Sequence, residues 1–310
     1  MDPQIFTAIL HATIIAGTPL IIVALGLLVS EKSGVLNLGA EGMMAVGAVT
    51  GFAVTYHTGN PLLGSLAAMF AGALLSLIFA FLSITLLANQ VATGLALAIF
   101  GVGLSAFAGK PYESETLTPV EPVRIPFISD IPLFGEALFN QQLIVYISWA
   151  LFLGVLWFLY KARKGLILRS VGESPTVAHA IGYSVVRYRY VAVLFGGAMA
   201  GLGGAFLSIF HTPLWSEGMI AGRGWIALAL VVFATWRPFR VLMGAYLFGG
   251  VMIAQMFLQG SGLEVDLPSE LLAALPYLAT IVVLVIISRN PLSIRLHSPA
   301  SLGKPYRPDS

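Results

Sequence analysis

Residues 61–87 read PLLGSLAAMFAGALLSLIFAFLSITLL, without one charged side chain. They lie inside a longer run, 42–109, that holds no Asp, Glu, Lys or Arg over 68 residues. A membrane-crossing helix takes about 20 mostly apolar residues, so this run alone holds more than one crossing. Working outward, residues 3–30, 137–160, 190–216, 241–263 and 271–288 are uncharged too. The chain of 310 residues is 58% hydrophobic and 10% charged, with a mean hydropathy of +0.91. Soluble domains carry about 25% charged residues. The composition therefore excludes a soluble enzyme, a nucleic-acid-binding domain and a secreted disulfide scaffold. With no cysteine, disulfides, thiolate metal sites and cysteine nucleophiles are excluded as well. The fold class read from this is all-α: a polytopic helical membrane protein.

Breaks placed at polar and turn residues give nine spans, roughly 7–29, 36–55, 61–87, 91–108, 141–160, 190–211, 223–236, 240–258 and 270–288. The second and seventh are short enough to be partial or broken helices. The turns His57-Thr58-Gly59-Asn60-Pro61 and Asn89-Gln90 divide the long uncharged run. No signal peptide is read at the N-terminus, because Asp2 is the first charge and Lys32 the first cation. With the N-terminus outside, Lys32, the cations of 161–189, Arg237, Arg240 and those beyond 288 fall inside, thirteen of the 16. Lys110, Arg124 and Arg223 are left outside. Ten acids, Asp2, Glu113, Glu115, Glu121, Asp130, Glu136, Glu217, Glu264, Asp266 and Glu270, sort to the outer side. The expected topology is N-out, C-in, with one transmembrane domain over 1–288 and a poorly ordered cytoplasmic tail at 289–310. The outer loop 109–140 carries five prolines and reads as extended.

Little in the chain can carry chemistry. Both Gly-Lys pairs, 109–110 and 303–304, are followed by Pro, so no phosphate-binding loop is present. The five histidines show no metal-ligand spacing, and no metal site is read. Glu41 stands out, in Ser33-Gly34-Val35-Leu36-Asn37-Leu38-Gly39-Ala40-Glu41-Gly42-Met43-Met44. A carboxylate at membrane depth costs of order 2.5–3.5 kcal/mol on insertion scales. Either Asn37 and Glu41 line a translocation path on a broken helix, or Glu41 caps a neighbouring helix or pairs with a cation. Small residues recur at spacing four: Gly47 and Gly51, Gly197 and Gly201, and Gly196, Ala200 and Gly204. They read as close helix packing within the subunit, a dimer seam being the other reading. Trp215, Trp225 and Trp236 read as interface-belt aromatics, with Trp225 beside Arg223 the one that could face a solute path. In the inner loop 161–189, Ser174 as N-cap, Pro175 at the first position and Gly182 as C-cap mark a helix of about seven residues. Such a helix suits docking to another protein, and lying on the membrane surface is the plainer reading.

At these motifs the sequence resembles the permease subunits of bacterial ABC importers, in the branch for ribose, branched-chain amino acids and nucleosides. The stretch Glu31–Met44 resembles the start of those permeases, and Arg169–Gly182 resembles their coupling helix. Leu87–Ala96 and Gly222–Ala229 are further matches, and the set is most similar to the shorter of two paired nucleoside permeases. The resemblance implies a transport subunit with no catalytic residues, multi-pass in the bacterial plasma membrane, moving a small polar solute, nucleosides first. It implies a separate ATPase carrying ATP and Mg, a second homologous permease and an extracytoplasmic substrate-binding protein. Lipid is the remaining partner, with no nucleic acid and no cofactor on this chain. The solute path is expected near Asn37, Glu41, Gln90 and Trp225, and the coupling contact at Glu173, Ser174, Pro175, Ala178 and Gly182. Rival readings are an ion-coupled secondary transporter, a permease for a simple sugar or branched-chain amino acid, and a structural subunit without a path.

Overall fold

A computed structural model describes residues 3–124, 126, 129, 134–260, 274–275, 278–279, 281–282, 285 and 297–307. The expected span at 270–288 falls largely outside these. Asp2, Asp130, Glu264, Asp266, Glu270, Arg289 and Arg295 lie wholly outside them.

The chain runs through α1 (Pro3–Lys32), α2 (Ala40–Thr58), α3 (Pro61–Ala80) with a π-helical turn (Phe81–Thr85), and α4 (Gln90–Gly109). A short α5 (Gly135–Phe139) precedes α6 (Leu143–Tyr160), α7 (Arg163–Glu173) and α8 (Pro175–Ala180). Then come α9 (Val185–Ala205) with a second π-helical turn (Phe206–His211), α10 (Arg223–Phe233) and α11 (Pro238–Gly260). Among the described residues, six helices are long and apolar enough to cross a membrane: α1, α3, α4, α6, α9 and α11. The starts are written locally. Asn60 accepts from the N–H of Leu62 (3.0 Å) just before Pro61, and Asn89 accepts from the N–H of Ala92 (3.1 Å). Gly59, at φ +66°, closes α2 in the left-handed region.

α1 and α9 are central, their apolar windows each 78% buried, whereas those of α4, α6 and α11 are only 28%, 33% and 22% buried. The outer helices present Ile99, Phe107, Trp157, Phe239 and Met256 to the surroundings. So large an exposed apolar wall is untenable in water and is what lipid requires. Helices in lipid associate through close backbone approach, and glycines supply it. A Cβ on Gly47 would overlap Gly201 at the α2–α9 crossing, and one on Gly197 would overlap Ser76 of α3. Gly51 faces Ala205 and Gly204 faces the Met44 carbonyl. Ser105 of α4 and Ser208 donate across to the carbonyls of Ala45 (2.9 Å) and Ala48 (2.8 Å) on α2.

Several expectations are corrected. The second span begins at Ala40 rather than 36, because Gly34 sits at φ +91° and 33–39 is not helical. The sixth begins at Val185 and takes Arg189 with it, 2% exposed rather than solvated. Its guanidinium donates to the Ser33 carbonyl (3.2 Å), the Lys304 carbonyl (3.3 Å) and Ser301 Oγ (3.2 Å). The tail over 297–307 is accordingly packed rather than loose. Ser301 Oγ also donates to the Gly172 carbonyl (2.6 Å), and the Gly303 N–H to the Gly34 carbonyl (3.1 Å). The outer loop is not wholly extended: it holds α5 and a two-residue strand, Val123–Arg124, paired antiparallel with Asn140–Gln141. Trp215 and Trp236 are buried rather than interfacial. Trp215 fills the space left by Gly109, and Trp236 Nε1 donates to Glu31 Oε2 (2.6 Å).

Candidate functional site

The seventh expected segment, at 223–236, is a half-length helix. Eleven residues at 1.5 Å each make α10 about 16 Å long, near half of a ~30 Å hydrocarbon core. Its C-terminal end is tied to the end of α1 by the Trp236–Glu31 hydrogen bond. The backbone turns there through two successive left-handed residues, Thr235 (φ +49°) and Trp236 (φ +51°). Its N-terminal end lies a half-membrane away, entered through Ala221 (φ +50°) and Gly222 (φ +80°).

That half-buried N-terminus is met by Glu41. Oε1 accepts from the N–H of Gly222 (2.8 Å) and Oε2 from the N–H of Gly224 (2.7 Å). A helix leaves its first N–H groups without intrahelical partners, and its dipole places partial positive charge there. The carboxylate satisfies both, which is how an acid stands 8% exposed inside the bundle. Of the two readings of Glu41, capping of a neighbouring helix is the one the hydrogen bonds display. Gly224 is required, since a Cβ there would come 2.6 Å from Glu41 Cα. Arg223 folds back onto the carbonyls of Met219 (3.0 Å) and Ile220 (3.1 Å).

The other expected path residues brace the same break. Asn37 Oδ1 accepts from the N–H of Gly39 (2.9 Å), holding the turn before α2. Gln90, first residue of α4, accepts with Oε1 from the N–H of Leu36 (2.8 Å). Its Nε2 is buried without a partner among the described residues. Gly94 lets α4 close on Leu38, where a Cβ would come 2.8 Å from the Leu38 nitrogen. Asn37, Glu41 and Gln90 thus gather around 33–42, while Trp225, on the first turn of α10, is 38% exposed. Sequence reading missed Gly222 and Gly224 as the carboxylate's partners. The signal was the pair of glycines flanking Arg223 at the head of a short apolar segment.

The inner loop holds two helices, not one. α7 buries Ile167, Leu168 and Val171, and α8 follows at a sharp turn. Ser174 occupies the cap position, but its hydroxyl takes no backbone N–H and lies 3.4 Å from that of Thr176. Pro175 opens α8 and Gly182, at φ +93°, follows its end. Ala178 is rooted in a cluster with Ile167, Val171, Val185 and Tyr306. Val177, Ile181 and Glu173 face outward. Gly172, just before this turn, packs directly on the Lys32 carbonyl.

A lipid-facing helical bundle whose half-length helix is seated on a buried carboxylate has the build of a membrane permease. The chain belongs to the family of branched-chain amino acid transport system permease components, which matches residues 9–287. It is 41% identical to a putative glucose ABC transporter permease protein of Haloferax volcanii, over 96% of this chain and 97% of that one. It is 34% identical to a guanosine ABC transporter permease protein of Bacillus subtilis, over 98% and 97%. With a nucleoside ABC transporter permease protein of Lactococcus lactis subsp. cremoris it shares 32% over 87% and 89%. The protein is a multi-pass inner-membrane permease subunit of an ATP-binding-cassette transporter.

Proposed function

We propose that the chain forms the translocation path of an ABC importer for nucleosides. Its partners are a second homologous permease, a separate ATPase holding ATP and Mg²⁺, and an extracytoplasmic substrate-binding protein. This chain carries no cofactor. The observation that carries the choice of solute is the capping of α10 by Glu41. Half-length helices in transporters point free N-termini at anionic substrate groups. Here those donors are already taken, so an amino-acid carboxylate would meet occupied N–H groups and a like charge. An uncharged, hydroxyl-bearing solute meets neither penalty. The unpartnered Nε2 of Gln90 offers a donor to a ribose, and the half-exposed Trp225 ring a face for a base. The guanosine and nucleoside permeases among the relatives favour the same solute. The 41% relative named for glucose favours a second reading, a monosaccharide, which is uncharged and hydroxylated in the same way.

The packing of the inner loop supports a coupling path. α8 is rooted by Ala178 and turns Val177 and Ile181 outward to dock on the ATPase. A push on α8 passes through α7 to Gly172, which backs on Lys32 beside Gly34. It thereby reaches the segment 33–39 that positions Glu41. An ion-coupled transporter would work without any of this. The test is purification of the tagged chain from its own membranes in mild detergent, followed by uptake of labelled guanosine and glucose. Co-elution of an ATPase and a second permease, with ATP-dependent guanosine uptake, is the expected result. A chain that elutes alone and transports under an ion gradient overturns the importer reading. Uptake of glucose in place of guanosine replaces the solute.

A further inference from the structure

Between α6 and α9 the bundle leaves a groove of about 1050 Å³. Its floor is apolar: Ile147, Leu151 and Phe158 from α6 face Val191 and Phe195 from α9. The eleven helical steps from Ile147 to Phe158 rise about 16 Å, the depth of one leaflet of a ~30 Å hydrocarbon core. The groove opens on the cation-rich side of the molecule. Its mouth carries Lys164 and Arg187, with the hydroxyls of Tyr183 and Ser184, and among the described residues no carboxylate lines it. Both cations are exposed. Halfway along the floor, a Cβ on Gly154 would meet no atom of the described residues within 4 Å, so none of their side chains fills the space there.

We infer that this groove holds one anionic phospholipid of the inner leaflet, an acyl chain along α6 and its phosphate between Lys164 and Arg187. Apolar depth of leaflet length joined to a cationic mouth with no carboxylate among the described residues is complementary to that one class of molecule. Basic pockets between membrane helices on the cytoplasmic side bind anionic headgroups in this way. A neutral solute has no use for paired cations, and an apolar helix of a second permease would leave them facing no counter-charge. The inference requires only that the chain resides in a membrane, not the importer reading.

The test is native mass spectrometry of the full chain in mild detergent, titrated with phosphatidylglycerol or phosphatidylcholine of identical acyl chains. Wild type is expected to retain one phosphatidylglycerol per chain, with a preference of about thirtyfold, the increment two headgroup-facing cations supply. Gly154→Leu fills the open floor and is expected to lose both lipids. The surface variant Lys164→Gln/Arg187→Gln is expected to keep the chain folded and bind both lipids equally. Equal binding of the two lipids by wild type overturns the inference, as does a preference that survives K164Q/R187Q. Loss of a co-purifying permease in G154L with lipid still bound also overturns it and makes the groove a subunit seam.

Discussion

Glu41→Gln separates a carboxylate that holds a helix from one that handles a solute. The amide matches the carboxylate in volume but presents one accepting oxygen where two now accept, from Gly222 (2.8 Å) and Gly224 (2.7 Å). Its NH₂ group is set against a backbone N–H, donor facing donor. A hydrogen bond to a charged group contributes about 1.5–3 kcal/mol. The lost charge at the head of α10 adds about 0.3–1 kcal/mol, more when partly buried. Such contributions are not additive, so the expected loss of stability is about 3 kcal/mol, some two orders of magnitude in the folded-to-unfolded ratio. The assay is equilibrium unfolding by SDS titration of mixed micelles, run beside solute uptake in proteoliposomes containing the whole transporter. The variant should unfold at markedly lower SDS, while the molecules that remain folded transport with an unchanged KM. If E41Q is as stable as wild type and uptake is lost, Glu41 acts on the solute and the capping argument fails.

Gly204→Ala places a methyl against the Met44 carbonyl and should cost about 1–3 kcal/mol by overpacking. Gly103→Ala, with nothing among the described residues within 4 Å, should gain up to about 1 kcal/mol of helix propensity in the same titration. Arg189→Met orphans the carbonyls of Ser33 and Lys304, so limited proteolysis should cleave the tail around Ser301 many times faster, with a stability loss of about 1–3 kcal/mol. Unchanged cleavage would show that the tail holds without it. Val177→Asp/Ile181→Asp alters only exposed positions and should stay within about 0.5 kcal/mol of wild type, yet lose substrate-stimulated ATP hydrolysis in the assembled transporter. Ala178→Asp, one residue away but buried, should destabilise the chain itself, and intact coupling in V177D/I181D would remove α8 from the coupling path.

Membrane residence, helical class and most span positions were legible because they depend on local quantities. Uncharged length decides whether a segment suits lipid, and Asn60-Pro61 and Asn89 mark helix starts within a few residues of themselves. The shortness of the seventh segment and the isolation of Glu41 were legible for the same reason. What Glu41 touches was not. Its partners Gly222 and Gly224 lie more than 180 residues on, and nothing local distinguishes a carboxylate facing water from one facing a helix end. Arg189 shows the same limit from the other side. It reads as a solvated loop cation because a charge is costly in lipid, and only the folded tail brings the carbonyls that let it be buried. Trp215 and Trp236 read as interface residues by type, but Gly109 and Glu31 supply a space and an acceptor that exist only once the helices pack. Which segments are long and apolar enough to suit a membrane could be read along the chain, since that is a transfer free energy summed over neighbouring residues. Which polar groups inside are paired, and with what, emerged only on folding, since each such pairing needs donor and acceptor within about 3 Å across elements far apart in sequence.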